Sequence, residues 1–340
     1  MNALQRRVVM LFMVTNRRII DGKYGDEERL NKKFEYQYAY NREQRGEDAF
    51  EKTGRAGLEA ALLAELNRLK QEEGVNTPKV GIYLHGFNND YQESIDELFD
   101  LEENLQKIYL HRPVIVGFSW PSSGRKTSYL SDREEVRDSV GAFTRFLLDI
   151  NEMAIKNEQD CFSTTFCIAH SMGNYLLRKG MEYMSDALGT PVGRMLFDET
   201  VMLAPDLSSE DMKKGGKGSY IADFSRRVHV YYSKHDRALK ASSAKRFGGN
   251  RLGRHGPNDY DKLPANVVVV NAKKYANAES IEGVEDRVGD QVSVHSSQRY
   301  HEKILKDVVQ VLSSIDRDQI TGRKAVESEG VPMSNHYRLI

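Results

Sequence analysis

The sequence predicts an α/β fold with a mostly parallel central sheet and helices on both faces. Three observations carry this. Short β-branched and apolar runs recur along the chain at 8–15, 79–84, 113–120, 163–169, 199–203, 226–233 and 266–271. Stretches of helical periodicity separate them, at 54–73, 91–109, 131–157, 172–184, 238–246 and 300–314. The alternation of strand and helix persists almost from end to end, as parallel strands joined by crossover helices require.

The first run ends in Asn16-Arg17-Arg18 and is far shorter than the ~20 apolar residues of a membrane span, so it is read as a buried strand and not as a leader. Residues 20–53 are polar, charged and tyrosine-rich, and are expected to form an irregular excursion. The last helical stretch repeats Ile304, Leu305, Val308, Val309 and Leu312 at helical spacing, which marks a helix with one face on the sheet. From residue 316 periodicity fades, and 316–340 is expected to be a polar tail. The expected organisation is one domain over 1–315, with 206–223 as a candidate small cap loop.

Composition narrows the partners. The 340 residues carry 49 basic and 50 acidic side chains, a formal net charge of −1. No overall field draws in nucleic acid or an anionic membrane. Two cysteines, Cys161 and Cys167, are too few for a disulfide framework or a zinc site and fit a reducing, cytoplasmic compartment. No histidine–acid spacing suggests a metal. The glycine-rich loop at 248–256 lacks the lysine and hydroxyl of a phosphate-binding P-loop. Neither cofactor nor integral membrane contact is expected.

The sharpest chemical signal is Ala169-His170-Ser171-Met172-Gly173, directly after one strand run and directly before a helical pattern. Small residues two places before and two places after the serine permit a sharp strand–turn–helix, which forces the serine into a strained conformation and exposes its hydroxyl. The helix N-terminus beneath supplies free N–H groups and positive dipole density. A serine hydroxyl needs a histidine base, and the base needs a carboxylate. In the order Ser, acid, His, the acid is sought downstream. Asp236 follows the run 226–233, at a strand end where active sites of parallel sheets gather, and can also cap the next helix. Asp206 is the alternative acid. For the base, His295 in the loop Val294-His295-Ser296 is preferred, and His301 at the start of the last helix is the alternative. The N–H groups of Met172 and of Phe87, within His85-Gly86-Phe87-Asn88-Asn89, are the candidate oxyanion donors. Trp120, Tyr129 and His170 are expected to line the substrate mouth.

Taken in order, several motifs resemble the α/β-hydrolase superfamily, and within it the bacterial group catalogued as domain of unknown function 900. They are Thr15-Asn16-Arg17, His85-Gly86-Phe87-Asn88-Asn89, Phe118-Ser119-Trp120-Pro121-Ser122, Ala169-His170-Ser171-Met172-Gly173, Ala204-Pro205-Asp206, and Tyr232-Ser233 through Asp236-Arg237-Ala238-Leu239. Alanine at 169 stands where glycine is commoner, and Ser296-Ser297-Gln298 stand where an aromatic residue usually follows the histidine. The resemblance implies Ser171 as nucleophile, Asp236 as acid and His295 as base, and names no substrate. The site chemistry leads to the expectation of a serine esterase with a small-molecule or lipid-like acyl ester as substrate. An acyltransferase on the same triad, or an inactive hydrolase-fold binding module, are the competing readings.

Overall fold

The computed structural model describes residues 10–29, 33–39, 49–76, 78–109, 113–125, 127–157, 164–189, 195–245, 249–286 and 288–340. Cys161, Gly248 and the first two residues of the 8–15 run lie outside them.

The first half of the chain contains β1 (Leu11–Thr15), β2 (Arg17–Ile20), β3 (Lys23–Glu28), β4 (Glu35–Ala39), β5 (Glu51–Thr53), α1 (Arg55–Glu73), β6 (Lys79–Leu84), α2 (Tyr91–Gln106), β7 (Val114–Ser119) and α3 (Tyr129–Lys156). The second half follows with β8 (Thr164–His170), α4 (Gly173–Leu188), β9 (Phe197–Leu203), α5 (Ser219–Asp223), β10 (Ser225–Tyr232), α6 (Arg237–Lys245), α7 (Leu252–His255), β11 (Val267–Asn271), α8 (Glu302–Leu312), β12 (Arg323–Ser328) and β13 (Val331–Leu339). Every strand and helix expected from periodicity is present.

Among the described residues the main sheet has eleven strands in the order β12-β13-β11-β10-β9-β8-β6-β7-β1-β4-β5. From β13 to β1 all neighbours are parallel. After β6 the chain goes to one side for β7 and then to the other for β8. The carboxyl ends of β6 and β8 therefore flank the switch point where such sheets open a crevice.

Successive side chains of a strand point to opposite faces, and here both faces are apolar. In β11, Val267 and Val269 join the core beneath α1, α3 and α4, while Val268 and Val270 join the core beneath α2 and α8. That double burial explains the continuous apolar strand runs.

Two expectations are corrected. Residues 20–53 are not simply an irregular excursion: β4 pairs antiparallel with β1, from Leu11 opposite Ala39 to Thr15 opposite Glu35, and β5 pairs with β4. Polar Gln37 concealed this strand; it is fully buried and bonded to the Tyr91 hydroxyl at 2.6 Å. Nor is 316–340 a tail. Strands β12 and β13 form a hairpin, and β13 lies parallel to β11 in the sheet. The hairpin turns on Glu329-Gly330, both with positive φ (50° and 81°), as a two-residue hairpin turn demands. Exposed polar side chains at this sheet edge hid the pattern, although Tyr337 and Leu339 are buried.

The segment 206–223 connects β9 to β10, with α5 packed on α4 and β10.

Candidate active site

The elbow is built where β8 runs into α4. Ser171 has φ of +51°, left-handed backbone that a non-glycine residue adopts only under constraint. The constraint is visible on both sides. The Ser171 N–H donates to Leu203 O at 3.0 Å, and its carbonyl accepts from the N–H groups of Asn174 (3.2 Å) and Asp206 (3.1 Å). Gly173 lets the start of α4 press on the end of β6, because a Cβ there would lie 2.5 Å from Leu84 O and 2.6 Å from His85 O.

Asp236 and His295 are brought together from 59 residues apart. His295 Nδ1 lies 2.6 Å from Asp236 Oδ2, while Asp236 Oδ1 accepts the Leu239 N–H at 2.9 Å. The carboxylate thus caps α6 and holds the imidazole at once. Its acceptor character assigns the proton to Nδ1 and leaves Nε2 as the basic nitrogen. Burial pushes the His295 pKa down, but the Asp236 carboxylate outweighs it and the net shift is upward. His295 also lies against the residue before Ser171: its ring centroid is 4.8 Å from that of His170, whose Nε2 is 3.1 Å from His295 O.

Three distant contacts fix the loop that carries His295. Besides the His170 bond, Gln298 Oε1 accepts the N–H of Ala204 at 2.8 Å, and Arg299 Nη2 donates to Glu97 Oε1 at 2.8 Å. Burial pushes the Glu97 carboxyl up, yet Arg299 and the neighbouring histidines hold it at about 2. His301 does not join this group. It is the N-cap of α8, its Nδ1 accepting the Lys303 N–H at 3.2 Å, and its ring packs on Tyr275.

The loop after β6 reaches the elbow at Gly86, where a Cβ would sit 3.1 Å from both Ser171 Cβ and His170 Nδ1. Asn88 has φ of +67°. Ser122 Oγ accepts the N–H groups of Asn88 (3.0 Å) and Asn89 (3.2 Å) and donates to Asp132 at 2.6 Å. Beneath it Arg17 is fully buried, donating to Ser119 Oγ (2.9 Å), Ser122 O (2.9 Å) and Asn89 O (2.8 Å). Burial lowers this guanidinium to about 10. Neither the Phe87 nor the Met172 N–H donates to another group among the described residues.

The bracing roles of Arg17, Ser122, Glu97 and Arg299 were not legible in the sequence. Arginine at the end of an apolar run was the one available signal.

Trp120 corrects an expectation. It is fully buried, stacks on His85 with centroids 5.0 Å apart, and donates to His85 O at 3.1 Å. It supports the loop from below and does not line a mouth. Tyr129 is also buried, its hydroxyl 2.7 Å from Asp206 Oδ2 and 2.8 Å from Ser242 Oγ. Asp206 accepts from Ser242 at 2.7 Å and lies near Arg251. It is held in this network, and its carboxylate makes no hydrogen bond to His295. His170 is buried and faces the His295 loop. Among the described residues no cluster of three or more His, Cys, Asp or Glu could hold a metal, and no helix is long and apolar enough to cross a membrane.

The family described as "Alpha/beta hydrolase of unknown function (DUF900)" matches residues 59–286. The chain belongs to this family. The match agrees with the resemblance drawn from the motifs and establishes the α/β-hydrolase fold. An uncharacterized protein of Nostoc sp., alr1448, is 30% identical over 174 residues, 43% of each chain. This chain thus spans less than half of that relative.

Among solved structures, phospholipase PlaB from Legionella pneumophila in complex with thio-NAD is 18% identical. It covers 62% of this chain and 41% of its own, with a TM-score of 0.27. A fungal esterase from Rhizomucor miehei is 14% identical over 91% of this chain and 84% of its own, with a TM-score of 0.38. Aspergillus fumigatus lipase B is 13% identical over 76% and 59%, with a TM-score of 0.36. At such scores these likenesses carry no weight for function.

Proposed function

We propose that this family member is a serine hydrolase of carboxylic esters. In this reading His295 removes the proton of Ser171, which attacks the ester carbonyl. The N–H groups of Phe87 and Met172 take the oxyanion, and the alcohol leaves as His295 returns the proton. Water then cleaves the acyl-enzyme: His295 takes a proton from the water as it attacks the acyl carbonyl and gives it to the departing Ser171 oxygen, which frees the carboxylic acid. Asp236 holds the imidazole tautomer and stabilises its protonated form.

One observation carries the reading. A histidine bonded to a buried carboxylate at 2.6 Å packs against His170, the neighbour of a serine in strained left-handed backbone. Two unengaged N–H groups next to that serine support it. Incubation with a fluorophosphonate probe followed by peptide mass analysis tests it. Modification is expected on Ser171 and absent from Ser171→Ala. A folded wild-type chain that stays unmodified, and that turns over no short-chain aryl ester, overturns the proposal.

A further inference from the structure

The edge of the sheet that carries Ser171 has a second concavity. The turn after β10 presents Lys234 and His235, the turn after β11 presents Lys273 and Lys274, and β13 presents Arg338; together they line an open cavity of about 460 Å³. The four lysine and arginine side chains are exposed, and none forms an ion pair with a described residue. No Asp or Glu side chain lines the cavity, and Ile340 brings its main-chain carboxylate to one wall. Four cationic side chains around one concavity stand out in a chain with 49 basic and 50 acidic residues.

The backbone that presents these cations is fixed. Ser233 Oγ accepts the His235 N–H at 3.2 Å and donates to Ala276 O at 2.6 Å, and Asn271 Oδ1 accepts the Lys273 N–H at 3.1 Å. Leu339 is buried at the wall and supplies apolar surface. Pockets for small ligands commonly measure roughly 300–1,000 Å³, and ligands of open parallel sheets bind at the carboxyl ends of the strands.

Four unpaired cations around one concavity repel one another, so an occupant with several anionic oxygens is favoured. A phosphate monoester offers close to two negative charges and three terminal oxygens; a carboxylate offers one charge and two. We infer that this cavity binds a phosphate monoester group. Its nearest wall, at the end of β10, is two strands from β8, roughly 10 Å at ~4.8 Å per strand. The site is therefore separate from Ser171 and does not depend on the hydrolase reading.

Calorimetric titration of the full chain with inorganic phosphate, at near-physiological salt, tests this. Flotation with phosphatidylcholine vesicles containing phosphatidic acid forms a second arm. Saturable phosphate binding that weakens at least tenfold in the double variant Lys273→Glu/Arg338→Glu supports the site and assigns a soluble ester. Vesicle binding alone, lost in the same variant, supports it and assigns a lipid headgroup. Absence of both, or binding of equal strength in the variant, overturns it. Lys273→Gln/Arg338→Gln, with an unchanged melting profile, controls for folding. Ser171→Ala is expected to bind phosphate as wild type does, so failure here is distinguishable from failure of the esterase proposal.

Discussion

The elbow and the base loop meet at one edge of the sheet, but they are held there by different means. The elbow is a contiguous turn, Ala169 to Gly173, between a strand and a helix. Its strained Ser171 is tied by backbone bonds to Leu203, Asn174 and Asp206, and one glycine lets the helix close on β6. The loop that carries His295 has local turn bonds of its own, from the N–H groups of Ser296 (3.0 Å) and Ser297 (2.9 Å) to Ser293 O, but they do not hold the ring. His295 is positioned by side chains from far along the sequence: Asp236 holds its ring, Arg299 reaches Glu97, and Gln298 reaches Ala204. A site can thus combine a part whose turn lies in one contiguous stretch, tied down by neighbouring strands, with a part whose side chains converge only once remote elements have packed. The two should respond differently to substitution.

The largest expected effect comes from the ring partner. If the proposed triad operates, Asp236→Asn should lower kcat by about 10⁴-fold, because the asparagine favours the wrong imidazole tautomer. The accompanying pH profile has a definite sign. Catalysis needs neutral His295; burial favours that form, but the Asp236 carboxylate outweighs burial and favours the protonated one. The rising limb of kcat/KM should therefore lie above the ~6.5 of free imidazole, with activity lost as pH falls through it. A limb at or below that value would break the base assignment.

Next is the loop anchor. Arg299→Met leaves the partly buried Glu97 with the Tyr83 hydroxyl but without its cation, and urea unfolding should register a loss of about 1–3 kcal/mol. Pairing it with Glu97→Leu should restore part of that stability. If the single and double variants unfold alike, the base loop does not depend on this remote contact.

The elbow is probed by Gly173→Ala. The added methyl meets two backbone carbonyls that cannot swing aside, so a cost of about 1–3 kcal/mol is expected, together with reduced esterase turnover. Full activity and stability would show that the turn has more slack than its geometry indicates.

The smallest effect belongs to His301→Ala. Loss of an N-cap acceptor should cost about 1 kcal/mol and leave kcat unchanged. A collapse in kcat would return His301 to contention as the base.

How much of this was legible beforehand follows the same division. Ser171, the strand before it and the helix after it stand in one short stretch and were readable there. Asp236 was found by counting strands, a step that needs only the alternation of elements. His295 and His301 could not be separated from sequence spacing, since both lie near the start of α8 and only the packing of that loop decides which ring meets Asp236. Trp120 was misassigned because a tryptophan at a strand end looks alike whether it faces a crevice or, as here, the underside of the loop after β6. Strands β12 and β13 were missed because they bury few side chains, and β4 because its buried Gln37, bonded to a remote tyrosine, interrupts the apolar pattern.

By itself the sequence determined the parallel α/β architecture, the order of its central elements and the turn that strains Ser171. These depend on hydrophobic periodicity and on the conformational freedom of small residues, which are properties of neighbouring positions. Only the tertiary structure decided which histidine meets the carboxylate, that Arg17 and Ser122 brace the loop beside the elbow, and that cations from β10, β11 and β13 crowd one cavity. Those outcomes depend on which distant side chains share a desolvated space, and no local pattern records that.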